Sequence, residues 1–169
     1  MIVSVQVPRT VTQLDDVRSL LRSFTEWHRR RHTEDIELID QYFDSVAFEE
    51  ELATLPGKYT PPTGQLLLAT TANTAAGCVA VRQVDGQSCE MKRMFVYERF
   101  HGQRVGSALG EAIVGEARSL GYKRMLLDTS IRQNEAIGLY QRLGFKFIEP
   151  YYEIPRAMQG WLVFMELKL

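Results

Sequence analysis

The sequence is short of the residues that build disulfide scaffolds and metal centres. It has two cysteines and three histidines among its 169 residues. Cys78 and Cys89 fall in separate predicted strands, which is weak evidence for a disulfide and no evidence for a metal site. His28 and His32 have the i, i+4 spacing of two ligands on one helix face, but no third ligand is evident. We therefore expect no bound metal.

The chain also lacks an excess of charge and any long apolar run. Its formal net charge is −1, so we expect no general attraction to nucleic acid or to an anionic membrane. The arginine run at 29–31 is too short and too isolated to indicate a nucleic-acid site. The longest apolar runs have the length of buried strands, and the N-terminus lacks the basic start and apolar segment of a signal peptide. We therefore expect a cytoplasmic protein.

What the sequence does contain is the strand and helix pattern of a single α/β domain spanning 1–169, long enough for a real core. Apolar patterning predicts strands at 2–7, 65–70, 77–84, 89–97, 122–129, 145–148 and 161–167. It predicts a first helix after Thr10, where Gln13 completes a capping box, and further helices at 33–55, 105–120 and 134–143. Antiparallel hairpins feeding a strand–helix–strand unit predict a mixed sheet of about seven strands with four helices on its two faces.

The most informative stretch is 90–120, where an apolar-rich strand leads through a turn with two glycines into a long amphipathic helix. From Val105 to Leu120 the apolar residues fall at helical spacing. The first amides of such a helix have no partner inside it, and together with the positive end of the helix dipole they form an anion site. The sequence therefore predicts that this turn holds the phosphates of a cofactor.

Six segments carry a family resemblance. They are ELATLPGKYTPPTGQLLLA (51–69), EMKRMFVYERFHGQRVGSALGEA (90–112), LGYKRMLLDT (120–129), AIGLYQRLGF (136–145), PYYEIP (150–155) and FMEL (164–167). In this order and spacing they resemble the GNAT superfamily of acetyl-coenzyme A-dependent N-acetyltransferases, and within it a bacterial group of small acyltransferases. With 2–7 the resemblance covers essentially the whole chain. It implies the GNAT fold and acetyl-coenzyme A (acetyl-CoA) as the acetyl donor.

The resemblance also implies a cofactor site, with two registers open for its turn motif. One uses Gln103, Gly106 and Ala108. The other, which we prefer because its flanks match without a gap, uses His101, Arg104 and Gly106 and puts Arg104 where the family usually has its first glycine. That arginine could add a charged contact to phosphate or obstruct it. The cofactor-binding residues implied are Met94, Phe95, Val96, His101, Gly102, Gln103, Arg104, Val105, Gly106, Ser107, Ala108, Gln133 and Asn134.

Two side chains match catalytic positions of the superfamily. Glu90 lies where the histone-acetylating branch carries its general base, and a partly desolvated carboxylate there could accept the amine proton. An exposed strand-end glutamate is an equally good interpretation. Tyr140 matches the tyrosine that protonates the departing thiolate, although a tyrosine on the apolar side of a helix is often only packing.

The acceptor side is framed by other residues. Glu26, Tyr59, Tyr151 and Tyr152 come from the segments that normally surround the acceptor, and Asp128 ends a strand beside the expected cleft. Acidic and aromatic groups would suit a small cationic amine, whereas loop packing and turn capping are the plainer interpretations of the same residues.

Together these features predict an N-acetyltransferase that acts on a primary amine of a small-molecule or amino-acid-like acceptor. Direct attack is expected because neither cysteine falls at a position that the family motifs assign to catalysis. A coenzyme A-binding sensor with little catalysis is one alternative. A protein-acetylating enzyme, which would need a broad open groove, is another. A homodimer is also open, because superfamily members often pair.

Overall fold

In the computed structural model, which describes residues 2–169, one seven-stranded sheet organises the chain. Its strands are β1 Val3–Gln6, β2 Gln65–Thr71, β3 Thr74–Gln83, β4 Ser88–Val96, β5 Arg124–Ser130, β6 Lys146–Ile148 and β7 Leu162–Lys168. The order across the sheet is β1-β2-β3-β4-β5-β7-β6. All neighbours are antiparallel except β4 and β5, which are parallel. The predicted mixed α/β sheet is confirmed.

Helices cover both faces of this sheet. They are α1 Val11–Arg31, α2 Ile36–Tyr42, α3 Ser45–Ala53, α4 Val105–Ser119 and α5 Asn134–Arg142. Apolar residues of α1 and α3 pack with Leu66, Leu68 and Ala80 on one face. Residues of α4 and α5 pack on the other face, because strand side chains alternate between the two sides of a sheet.

The helix predicted at 33–55 is divided into α2 and α3 in the structure. The described residues therefore form five α-helices, where the sequence predicted four. The helix stops at Phe43, whose backbone leaves the helical region (φ −99°, ψ 71°). Asp44 then starts α3, and its side chain accepts a hydrogen bond from the Ala47 amide at 2.9 Å. The new start also shifts the helical register. Val46, in the first turn of α3, is consequently 68% exposed although it belongs to the apolar pattern of 33–55.

The start of α1 follows the sequence signal closely. Thr10 Oγ1 accepts a hydrogen bond from the Gln13 amide at 3.2 Å, and Gln13 Oε1 accepts one from the Thr10 amide at 3.2 Å. This is the reciprocal capping box that was predicted from the two residue types and their spacing. It fixes the beginning of a helix of 21 residues that later lines the functional site.

The parallel pair β4–β5 is short, and the two strands separate after it. Pairing runs only from Ser88 to Glu90 on β4 and from Arg124 to Leu126 on β5. Beyond Glu90, β4 remains paired with β3, and beyond Leu126, β5 remains paired with β7. The sheet therefore contains a gap, and among the described residues the inner backbone edge of β4 has no strand partner there.

A bulge in β4 accompanies the separation. Lys92 pairs with Ala80 and Phe95 pairs with Cys78, so β4 holds one extra residue between these two pairs. Arg93 lies in this bulge and adopts the left-handed region (φ +59°). The Arg93 guanidinium binds Glu51 of α3 through Nε at 2.8 Å and Nη2 at 2.7 Å. The bulge, which bends β4, is thus tied to the helices on one face.

A second strained backbone position lies at the entry to α4. Arg104 is the N-cap of the helix and has φ +65° and ψ 9°, the left-handed region that glycine adopts more easily. Gly102, two residues earlier, also has a positive φ of +76°. The structure thereby explains why a glycine would be the ordinary choice at position 104, and it shows that Arg104 adopts the same conformation at an energetic cost.

Replacing Arg104 should reveal this cost. We expect Arg104→Gly to have a free energy of unfolding about 1 kcal/mol higher than Arg104→Ala, because alanine keeps the Cβ that opposes the left-handed conformation. Both variants lack the guanidinium, so the difference isolates the backbone. Urea unfolding of the two variants measures it. Equal stabilities would show that position 104 carries no strain.

Candidate active site between the separating strands

A cleft of about 400 Å³ opens where β4 leaves β5. It is lined by β4, by the turn and first residues of α4, by α5 and by the second half of α1. Of the predicted cofactor residues, the structure brings ten to this cleft: Met94, Phe95, Val96, His101, Gly102, Arg104, Val105, Gly106, Ser107 and Gln133. Gln103, Ala108 and Asn134 lie outside its lining. Gln103 instead donates from Nε2 to the Arg99 carbonyl at 2.9 Å.

The start of α4 faces this cleft with unused backbone donors. The first helical hydrogen bond runs from the Ala108 amide to the Arg104 carbonyl at 3.0 Å, so the amides of 105–107 have no acceptor inside the helix. A Cβ on Gly106 would lie 3.3 Å from Leu139 Cδ2, a tight contact that the glycine avoids. Free amides at the positive end of a helix, with a glycine among them, fit the diphosphate of coenzyme A.

Sequence interpretation missed the wall that α1 contributes. Phe24, Trp27 and Arg31 line the cleft, and the Arg31 guanidinium lies over the Trp27 ring, 4.9 Å from its centroid. Arg31 also forms an ion pair with Glu135 in the first turn of α5. Nothing in the local sequence pattern of the arginines at 29–31 shows which of them reaches across to α5.

A smaller cavity of about 60 Å³ adjoins the cleft. Phe24 and Met94 line both spaces. The cavity lies under the gap in the sheet and has aromatic walls with a few polar groups. Its other lining residues are His28, Tyr42, Phe43, Met91, Lys92, Arg93, Leu127, Asp128, Thr129, Ser130, Tyr140, Trp161 and Leu162.

Asp128 is the carboxylate that lines this cavity. Tyr42 donates its hydroxyl to Oδ1 at 2.5 Å, and Tyr152 donates its hydroxyl to Oδ2. Burial, with the charge of Asp128 adding to it, raises the pKa of both tyrosines, so they remain donors. Each carboxylate oxygen can accept a second hydrogen bond. Asp128 is therefore held in place and can still bind a donor that enters the cavity.

Glu90 has a different environment. It is 1% exposed and does not line the cavity. Arg82 Nε donates to its Oε1 at 2.9 Å, and Tyr151 donates its hydroxyl to Oε2 at 2.6 Å. Lys92 Nζ lies 3.6 Å from the same Oε1. Glu90 thus contacts Arg82, Tyr151 and the cavity-lining Lys92, and it is not the exposed strand-end glutamate of the alternative interpretation.

Tyr140 shares the cavity with Asp128. Its side chain is 6% exposed and lies on α5, which packs over the gap. Burial raises the pKa of Tyr140, and the charge of Asp128 raises it further. The hydroxyl therefore stays protonated and is available as a donor.

His28 contributes polarity to the cavity without charge. Burial lowers its pKa to about 4, with further lowering by His32 and Arg31, so the ring is neutral near pH 7. Its Nδ1 lies 2.9 Å from Nε2 of Gln133, one of the residues predicted to bind the cofactor. One polar pair therefore joins the wall of the small cavity to that of the cleft.

Four of the acceptor-side predictions concern residues outside the cavity lining. Tyr152 reaches the cavity indirectly, through Asp128, and Tyr151 donates its hydroxyl to Glu90 behind the lining. Glu26 lies on the exposed side of α1, and Tyr59 is 1% exposed with its hydroxyl on Glu51. The structure brings Asp128 and Tyr140 together but leaves Glu26 and Tyr59 apart from them.

Within residues 2–169 the structure contains neither a candidate membrane-spanning helix nor a candidate metal site. No helix in this range is both long enough and apolar enough to cross a bilayer. No group of three His, Cys, Asp or Glu side chains in the same range is placed to hold a metal ion.

Comparison with known proteins identifies relatives of this arrangement. The family model for the acetyltransferase (GNAT) family matches residues 15–145. An uncharacterized N-acetyltransferase of Schizosaccharomyces pombe is 35% identical over 155 residues, which cover 90% of this chain and 88% of the relative. An IAA acetyltransferase of Azospirillum brasilense is 34% identical over 122 residues, covering 69% and 77% of the two chains.

A solved structure supports the fold. The PaiA N-acetyltransferase of Thermoplasma acidophilum, in complex with coenzyme A, superposes with a TM-score of 0.70 at 16% identity and covers 100% of both chains. At that identity the likeness concerns the fold alone. By the family match over most of its length, the chain belongs to the GNAT acetyltransferase family and is an acyltransferase enzyme.

Proposed function

We propose that this enzyme transfers the acetyl group of acetyl-CoA, the acetyl donor of its family, to a primary amine of a small molecule by direct attack. The observation that carries the proposal is the small cavity that holds Asp128 and Tyr140 beside the cleft. A protein-acetylating enzyme would need a broad groove at this place. A cavity of about 60 Å³ instead suits the reactive end of a small acceptor.

The cleft has the groups that acetyl-CoA requires. The free amides of 105–107 would bind the diphosphate, and the guanidinium of Arg104 stands at the same turn. The inner backbone edge of Met94–Val96 is unpaired on the β5 side and would bond the amides of the pantetheine arm. When bound, acetyl-CoA supplies a thioester, whose carbonyl carbon is the group under attack.

Asp128 is the carboxylate that we place at the acceptor amine. Each of its oxygens, like each oxygen of Glu90, already accepts one hydrogen bond, but Asp128 lines the cavity and Glu90 lies outside the lining. Asp128 would orient the amine and receive its proton. Glu90, which the sequence suggested as the base, remains the second candidate, acting through Tyr151 or Lys92.

Tyr140 is the proposed acid. As the amine nitrogen bonds to the acetyl carbon and the carbon–sulfur bond breaks, the sulfur leaves with the electron pair. Tyr140 gives its proton to that sulfur, Asp128 takes one from the amine, and exchange with solvent restores both groups. The products are an acetamide and coenzyme A.

The acid role can be tested with Tyr140→Phe, which removes one oxygen from a buried side chain. We expect kcat for thiol release from acetyl-CoA to fall about tenfold or more, while the dissociation constant of coenzyme A from calorimetry changes little. An unchanged kcat would exclude the acid role. If the unaltered protein binds coenzyme A but turns over no amine of a broad panel, the proposed acetyl transfer to a small amine is wrong. That result would favour the coenzyme A-binding sensor.

The two carboxylates can be separated by matched amide substitutions. We expect Asp128→Asn to lower kcat/KM about a hundredfold, since it removes the base while keeping its shape, and Glu90→Gln to cost about tenfold or less. Thermal unfolding and coenzyme A binding check that both variants are folded. A greater loss in Glu90→Gln than in Asp128→Asn, measured per folded protein, would place the proton on Glu90.

A further inference from the structure

The charged groups that line the acceptor cavity are Lys92, Arg93 and Asp128. Arg93 is already satisfied, because its Nε and Nη2 bind Glu51 at 2.8 and 2.7 Å. His28 is neutral near pH 7. The cavity therefore presents one available cation, Lys92, and one available anion, Asp128, with Lys92 Nζ 3.7 Å from Asp128 Oδ1.

Lys92 has donors to spare. Its ammonium makes a hydrogen bond to the Tyr42 hydroxyl at 3.2 Å. The two carboxylates nearby lie at 3.6 Å (Glu90) and 3.7 Å (Asp128), beyond ordinary hydrogen-bond length. Arg82 occupies Glu90 at 2.9 Å, so Glu90 does not depend on Lys92. With a side chain only 14% exposed and three N–H donors, Lys92 can bind an anionic group inside the cavity.

We propose that the acceptor is a small α-amino acid, with its ammonium on Asp128 and its carboxylate on Lys92. This assignment rests on the function proposed above and names the class of its acceptor. An α-amino acid carries opposite charges on one carbon, and the cavity carries the complementary charges side by side. The reacting nitrogen is then held at Asp128, in the cavity that Tyr140 also lines, and it attacks after the ammonium has given one proton to Asp128, which releases it to solvent.

The charge balance favours such a zwitterion over simpler acceptors. A monovalent amine would bring a second positive charge to Asp128 beside Lys92, whose other nearby anion, Glu90 at 3.6 Å, is already paired with Arg82. A ligand with only a carboxylate would in turn draw Lys92 away from Asp128. A zwitterion compensates both groups and adds no net charge to the buried site.

The test compares acceptors that differ only in the carboxylate. Thiol release from acetyl-CoA is measured with the standard L-amino acids, with their primary amides and with the decarboxylated amines. We expect at least one amino acid to exceed its own amide and amine by about tenfold or more in kcat/KM, because the amide and the amine lack the anion that Lys92 binds. An amide or an amine used as well as its amino acid overturns the inference.

Two methionine substitutions then locate the preference. Lys92→Met removes the available cation of the cavity. Lys146→Met makes the same change at an exposed cation on β6, outside the lining. We expect Lys92→Met to raise KM for the preferred amino acid about tenfold and to abolish the preference over the amide, while Lys146→Met retains the preference. Coenzyme A affinity and thermal unfolding show that each variant is folded.

Different results would contradict the proposed function and the proposed acceptor class. If no amine of any kind is acetylated by protein that binds coenzyme A, the proposed function itself is wrong. If amines or amides are acetylated without preference for the amino acid, the function stands and the acceptor class is wrong. If the preference survives Lys92→Met, or is lost equally in Lys146→Met, the carboxylate is not bound by Lys92.

Discussion

The separation of β4 from β5 is the constraint on which the rest of the molecule depends. The two strands pair over three residues each and then follow different neighbours. Separated strands expose unpaired backbone groups, which a folded protein must satisfy with other partners. The extra residue at Arg93 and its contact with Glu51 anchor one side of the gap. On the other side, β5 stays paired with β7 up to Ser130. The gap is therefore built into the sheet.

One gap provides both halves of the site. Toward α4 it exposes the β4 edge and the helix amides that suit a diphosphate, and toward α2 it exposes Asp128, Lys92 and the aromatic walls. Tyr140 on α5 lines the second of these spaces. There Arg82 binds Glu90, and the Lys92 ammonium lies beyond hydrogen-bond length of both Glu90 and Asp128. The groups that we propose for binding and catalysis therefore cluster where regular strand pairing ends.

How much of this could be predicted depended on how local each signal was. The strands, the capping box at Thr10 and the helix start near Gly106 rest on neighbours in sequence, and the structure agrees with them. The cap at Asp44 was also local but was hidden inside an apolar pattern that continued across it. The pairing of Lys92 with Tyr42 and Asp128 joins three elements and has no local signal. Arg104 could be named from the sequence, yet its left-handed backbone came only from the structure.

The most direct test of the central claim is a crystal structure of the protein with coenzyme A. If the gap is the donor site, the diphosphate will contact the amides of 105–107, the pantetheine arm will run along the β4 edge, and the sulfur will lie within hydrogen-bond reach of the Tyr140 hydroxyl. A coenzyme bound elsewhere, or in the cleft with its sulfur directed away from Tyr140 and Asp128, would contradict the account.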